Sequence, residues 1–292
     1  MVRPVWSTRQ GSSTSDVAAP GASGEDGRVT GSDGSIATFD HRGLPMAEVR
    51  RLKGEARVAV CIPARDEAAT VGQVVGTVRA ALMGDGGLVD ELVVVDDGSL
   101  DATALVAERA GARVVPSSPP GGGPRGKGGA MAVGVEATAA EVVVFLDADV
   151  TSVRPHYVSG LVGALLGRPG TALVKGFYTR PIHGRPTGGG RVTELVARPL
   201  LSLLFPHLAP VEQPLAGETA AWRSVLEEVG LADGYGVEMA LLLDVAQRYG
   251  AASIAQVDLG TRAHRNRSLE ELSPMAREVI AVALARAGIL AR

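Results

Sequence analysis

Apolar residues come in two textures along this chain. Between residues 46 and 150 short unbroken runs stand at 57–63 ("RVAVCIP"), 91–97 ("ELVVVDD"), 112–116 ("ARVVP") and 141–147 ("EVVVFLD"). Stretches with helical spacing separate most of them, such as "DEAATVGQVVGTVRAALM" (66–83) and "DATALVAERAG" (101–111). Runs without polar alternation mark strands buried on both faces, found mainly in parallel sheets covered by helices. The resulting β-α-β-α rhythm predicts an α/β fold whose first half is Rossmann-like and largely parallel. Beyond residue 150 the helical patterns lengthen: 191–205, with Pro199 a predicted kink, then 236–250 and 273–290. Short strands are predicted at "TALVKGF" and "SIAQVDL", so the helical half, 151–292, shares the sheet of the first. Residues 1–45 are rich in Ser, Gly, Asp and Ala with almost no apolar periodicity, which cannot offset the entropy of ordering; they are predicted to be a disordered tail.

Composition narrows the function. Net charge is −3, with Lys and Arg dispersed, which argues against a nucleic-acid groove. The single cysteine, Cys61, lies inside an apolar run; it excludes an internal disulfide framework and reads as a small buried hydrophobe. No segment approaches the length of an apolar membrane span and no apolar leader core is present, so a soluble, cytoplasmic protein without a membrane partner is expected.

The charges that interrupt this pattern gather where the strands end. Arg65, Asp66 and Glu67 follow one run, Asp96 and Asp97 another, and Asp147 and Asp149 a third. In open α/β sheets the carboxyl edge is where ligands bind. Asp66 and Asp101 each have a structural alternative, capping the helix that follows. Asp147 and Asp149 do not: two neighbouring carboxylates repel unless a cation compensates them. A hard divalent ion, Mg²⁺ or Mn²⁺, is the simplest compensation, since such ions combine one or two protein acids with water and substrate phosphate.

Two glycine-rich stretches suit anions. The loop "SSPPGGGPRGKGGA" carries Arg125 and Lys127 into a helix start. Gly121, Gly126 and Lys127 also satisfy G-x-x-x-x-G-K, but Gly128 stands where a P-loop needs a metal-binding Ser or Thr. Gly188 to Gly190, followed by Arg191 and Thr193 at a second helix start, form another anion nest, and two such nests suggest two phosphorylated ligands. His264 lies among Arg262, Arg265 and Arg267, where a surface histidine and a metal ligand are both open readings.

Taken in order, "PARDEAATV", "DELVVVDDGSLDAT", "GKGGA", "VVFLDADV", "GGGRVTELVARPLL", "PLAGE", "GYGVE" and "LGTRAHRNR" resemble the glucosyl-3-phosphoglycerate synthase and mannosyl-3-phosphoglycerate synthase group of retaining GT-A glycosyltransferases. The first four pieces are common to nucleotide-sugar transferases; the last four are specific to the phosphoglycerate-using group. The resemblance implies a GT-A fold, with a nucleotide-sugar-binding half at 46–150 and an acceptor-binding half at 151–292. It implies Mg²⁺ or Mn²⁺, a UDP-glucose or GDP-mannose donor, 3-phosphoglycerate as acceptor and a homodimer. Pro63, Ala64, Arg65, Glu67, Asp97 and Lys127 would line the nucleotide pocket, with Asp147 toward the ribose and sugar. Asp149 and His264 would hold the metal, and Gly190, Arg191, Thr193 and Asn266 the acceptor. Glu238 would contact the donor sugar. One departure is Asp66-Glu67, where the group usually carries Asn-Glu. Because no carboxylate other than Glu238 is placed to act as a nucleophile, front-face substitution is expected, with Glu238 orienting the sugar.

Overall fold

The computed structural model describes residues 35–182, 185–187, 190–262 and 269–290. In chain order the elements are β1 (Ala37–Asp40), α1 (Met46–Lys53), β2 (Val58–Ala64), α2 (Val71–Leu82), β3 (Glu91–Asp96), α3 (Thr103–Ala110), β4 (Arg113–Pro116), α4 (Gly126–Glu136) and β5 (Val142–Phe145). There follow α5 (Pro155–Gly167), β6 (Leu173–Ile182), β7 (Arg185–Thr187), a π-helical turn (Thr193–Ala197) leading into α6 (Arg198–Leu204), β8 (Thr219–Trp222), α7 (Arg223–Val229), α8 (Val237–Tyr249), β9 (Ile254–Thr261) and α9 (Leu269–Arg286). One sheet runs through both halves in the order β1-β9-β6-β8-β5-β2-β3-β4, with β7 folded back on β6. Its pairings are parallel except those of β8 with β5 and β6 and of β7 with β6.

The unbroken apolar runs follow from burial on both faces. Val58, Val60 and Ile62 of β2 join Val142 and Val144 of β5 in a core beneath α1, α2 and α5. Ala59, Cys61, Val143 and Phe145 point the other way, into a second core shared with α4, α6 and α8. Helix α4 lies close on β2 because Gly134 has no side chain: a Cβ there would stand 3.2 Å from that of Cys61. Cys61 is fully buried, as its place in an apolar run implies, and desolvation pushes its thiol up to about 12, so it is inert.

The sequence pattern missed several elements of this sheet and its cover, among them β1, β8 and α5. Strand β1 falls inside the predicted tail, with Ile36, Ala37 and Phe39 buried, so order begins earlier than 46; residues 1–34 lie outside the described ones. Its partner is β9, more than 200 residues away, and no local periodicity announces such a pairing. Strand β8 is only four residues long, and α5 is buried on most sides and so has no amphipathic stripe to read. Pro199 does not kink a continuous helix. It sits in the first turn of α6, where a missing N–H is tolerated, and the preceding π turn absorbs the irregularity. No helix among the described residues is long and apolar enough to cross a membrane.

Candidate active site

The carboxyl ends of β2, β3 and β5 lie side by side, so the loops that follow them share one rim. The loops after β2 and β3 are laced together. Asp66, the one described non-glycine residue with positive φ (56°), donates its N–H to Ser99 Oγ at 3.0 Å and accepts from Leu100 N at 2.7 Å. Asp101 accepts from Ala68 N at 3.1 Å and from Thr103 N, the first residue of α3, at 2.9 Å. The capping alternative therefore holds in part for Asp101 and fails for Asp66, whose carboxylate crosses to the neighbouring loop. Of the predicted nucleotide residues here, Pro63 and Ala64 end β2, Arg65 is exposed, and Glu67 accepts from Thr70 Oγ1 at 3.0 Å.

Asp97 is buried and accepts three hydrogen bonds from the protein. Oδ1 takes hydrogen bonds from Ser117 Oγ at 2.6 Å and Arg125 N at 2.8 Å, and Oδ2 takes one from Gly126 N at 2.9 Å. This fastens the loop that opens α4 and so delivers Lys127. Neighbouring Asp96 keeps one buried carboxylate oxygen without a hydrogen-bond partner at the same rim. The α4 start is not an open phosphate cradle. Gly128 N donates to Gly234 O at 3.0 Å, and a Cβ on Gly128 would stand 1.7 Å from Ala232 O. Gly128 is therefore glycine because the 232–236 loop presses on it, and the P-loop reading falls with that contact.

Lys127 bridges two acids that are far apart in sequence. Its Nζ lies 2.6 Å from Asp147 Oδ1 and 2.5 Å from Glu238 Oε1. Burial disfavours the ammonium, but Asp147 and Glu238 outweigh it and hold Lys127 above its ordinary value. Burial likewise works against the Asp147 carboxylate, yet Lys127 and Arg262 hold it well below the usual carboxylate range. Arg262, 2% exposed, extends the network. It meets Glu218 Oε1 and Tyr178 OH at 2.6 Å each, Asp149 Oδ1 at 3.4 Å and Asp147 Oδ2 at 3.7 Å. Glu218 is fully buried; desolvation raises its carboxyl against the pull of Arg262. Gly217 completes the floor, since a Cβ there would lie 2.0 Å from Asp147 Oδ1.

The geometry thus brings together Lys127, Asp147, Asp149 and Glu238 of the predicted set and adds Arg262, Glu218 and Tyr178. Both oxygens of Asp147 face fixed cations, whereas Asp149 meets Arg262 at 3.4 Å and its side chain is a quarter exposed. No group of three His, Cys, Asp or Glu among the described residues forms a metal cage. One acid at a partly open rim fits an ion that completes its shell with water and phosphate. Gly190 accepts from Glu194 N at 2.9 Å, Arg191 is exposed and Thr193 is buried in the π turn, so these three share a helix start after β7. His264 and Asn266 lie outside the described residues.

Glu218 and Arg262 were both inside stretches flagged by sequence. Their signal was an ionisable residue adjoining a strand that is otherwise apolar, as in "GETAAW" and "VDLGTR".

Comparison with known proteins agrees with this arrangement. Residues 59–201 match the model of glycosyl transferase family 2. The chain is 48% identical over 254 residues to glucosyl-3-phosphoglycerate synthase of Mycolicibacterium smegmatis, covering 84% of this chain and 82% of that one. It is 44% identical to the protein of the same name from Petrotoga mobilis, covering 80% and 74%. Among solved structures, glucosyl-3-phosphoglycerate synthase from Mycobacterium tuberculosis in complex with Mn²⁺, UDP-glucose and phosphoglyceric acid is similar at 46% identity and a TM-score of 0.77, covering 84% of this chain and 85% of that one. The same enzyme with Mn²⁺, UDP and glucosyl-3-phosphoglycerate gives 45% identity and a TM-score of 0.78, covering 87% and 88%.

Proposed function

The chain belongs to the glucosyl-3-phosphoglycerate synthase group of GT-A glycosyltransferases, and on that premise we propose that it moves glucose from UDP-glucose to the 2-hydroxyl of 3-phosphoglycerate with retention. The observation that carries this reading is the Lys127 bridge between Asp147 and Glu238, beside Asp149 and Arg262 at one strand-end rim. Transfer from a nucleoside diphosphate requires stabilising the departing diphosphate. Mg²⁺ or Mn²⁺, when bound, neutralises that charge, and Asp149 with His264 would hold it. Lys127 supplies a second, fixed positive charge, kept protonated by its two acids.

Asp147, locked by Lys127 and Arg262, stays ionised and accepts hydrogen bonds from the ribose and sugar. Pro63, Ala64, Arg65 and Glu67 line the nucleotide side, with Asp97 acting through the loop it fastens. Gly190, Arg191, Thr193 and Asn266 clasp the phosphate and carboxylate of the acceptor and aim its hydroxyl, which is catalysis by positioning. Glu238 is 2.5 Å from the Lys127 ammonium, and a carboxylate so paired is a weak nucleophile. It orients the sugar, and substitution proceeds on the front face; a glycosyl adduct trapped on Glu238 would overturn that step. The absence of any internal disulfide partner for buried Cys61 supports a cytoplasmic setting, and the group resemblance supports a homodimer.

The test is a donor panel. With Mg²⁺ and 3-phosphoglycerate, UDP-glucose is expected to release UDP and form a retained glucoside, while GDP-mannose gives little product. Preferred use of GDP-mannose, or release of UDP without need of 3-phosphoglycerate, would sink the reading.

Gly217→Ala checks the floor of the site. Its Cβ would fall 2.0–2.6 Å from the Asp147 carboxylate atoms, so that carboxylate has to move off Lys127. A displacement of about 1 Å in a reacting geometry costs on the order of 100-fold, and kcat is expected to fall by about that much, with a lowered melting temperature because the Asp147–Lys127 pair is disturbed. Steady-state kinetics on the folded variant checks it.

A further inference from the structure

Lys175 is a charged residue in the middle of the sheet with no part in the reaction just described. It stands on β6 opposite Thr219 of β8 and beside Gln256 of β9, and only 1% of it is exposed. A lysine is almost never buried so completely unless its ammonium is fully engaged. Here Nζ donates to Ala216 O at 2.6 Å and to Thr219 Oγ1 at 3.1 Å. Those two residues bracket Gly217, whose missing side chain makes room for the Asp147 carboxylate, and Glu218, which grips Arg262 at 2.6 Å. The 216–219 segment is thus the floor on which both cation–carboxylate clusters rest, and Lys175 is its fastening from below.

Resting on the functional reading above, we infer that Lys175 is a positioning residue: its ammonium pins the 216–219 segment and thereby sets Asp147, and through it Lys127 and Glu238, in the geometry of transfer. It touches no substrate. The groups that face it electrostatically are Glu238, Lys127, Glu218 and Asp147, three acids and one cation. Burial first, and Lys127 second among the opposing charges, bring its ammonium down to about 8 despite the acids, so the pin loosens in mild alkali.

The experiment compares Lys175→Met, Lys175→Arg and Thr219→Val in the full chain. In Lys175→Met, kcat is expected to fall by about 100-fold, the cost of a lost reacting geometry. KM for UDP-glucose and for 3-phosphoglycerate should each move less than about threefold, because no ground-state contact is removed. Thr219→Val keeps the charge and loses one acceptor, so about a tenfold loss of kcat is expected. Both variants should speed amide hydrogen exchange across residues 216–219 by about tenfold or more, and not in α2 or α3. The wild-type kcat should decline above pH 8, and in Lys175→Arg, whose guanidinium keeps its proton, that decline should move to higher pH.

A folded Lys175→Met with unchanged kcat, or an alkaline decline identical in Lys175→Arg, overturns the inference. If Lys175→Met does not fold, Thr219→Val decides, and unchanged kcat with unchanged exchange in it is equally contrary. Should the wild type fail to use UDP-glucose and 3-phosphoglycerate at all, the functional reading alone fails, and hydrogen exchange still decides the role of Lys175.

Discussion

Asp149→Ala is expected to lower the rate of UDP release from UDP-glucose and 3-phosphoglycerate by at least about 1,000-fold, the loss of roughly 4 kcal/mol of transition-state stabilisation. The reasoning starts from charge. Among the described residues, Asp147, Asp149, Glu218 and Glu238 converge on Lys127, Lys175 and Arg262, so four carboxylates face three cations. Asp147 and Glu218 are committed to protein cations at 2.6 Å. Asp149 lies 3.4 Å from Arg262 and keeps a quarter of its side chain exposed. A quarter-exposed carboxylate at the rim can turn toward a metal, so its loss should remove metal dependence. Titrating Mn²⁺ into the variant, with turnover followed in parallel, checks both.

Arg262→Leu is expected to be the most destabilising single change at the site. It leaves Glu218, fully buried, without its counter-charge, and stripping one partner from a buried pair costs about 3–5 kcal/mol. Denaturant unfolding at neutral pH measures it. The pH dependence has a definite sign. Burial already raises the Glu218 carboxyl above its ordinary value against the pull of Arg262, and removing Arg262 raises it further. The native state of the variant then binds a proton that the unfolded chain has released. Stability therefore falls as pH rises through the folded value and is recovered on lowering the pH toward that of an ordinary carboxyl. The double variant Glu218→Leu/Arg262→Leu should regain most of the stability, since apolar residues of similar volume replace a buried pair at little cost. Activity should not return, because Asp147 and Asp149 have lost a cation.

The sequence carried the fold where burial is two-sided and local. The Val-rich runs of β2, β3 and β5 and the helices after β2 and β3 were visible because each of those elements declares its own period. Strands β1 and β8 were not, since their reason to be strands lies in partners supplied by β9, β5 and β6. The site divides in the same way. Asp147 and Asp149 were legible as charges that end an apolar run, and Lys127 as a cation at a helix start. What no linear pattern shows is who neutralises whom: that Asp97 would accept from the 117–126 loop, that Lys127 would reach both Asp147 and Glu238, and that Arg262 would insert between Glu218 and Asp149. Gly217 carries no signal of its own in the sequence, and only the packing shows that the space it leaves belongs to a carboxylate.

The most direct measurement is anomalous diffraction at the manganese edge from crystals grown with Mn²⁺ and UDP. A single strong peak bonded to an Asp149 carboxylate oxygen, with Lys127 still bound to Asp147, is the expected result. A peak on other residues, or Mn²⁺ and UDP bound with Asp149 still turned to Arg262 and away from the ion, would contradict the account.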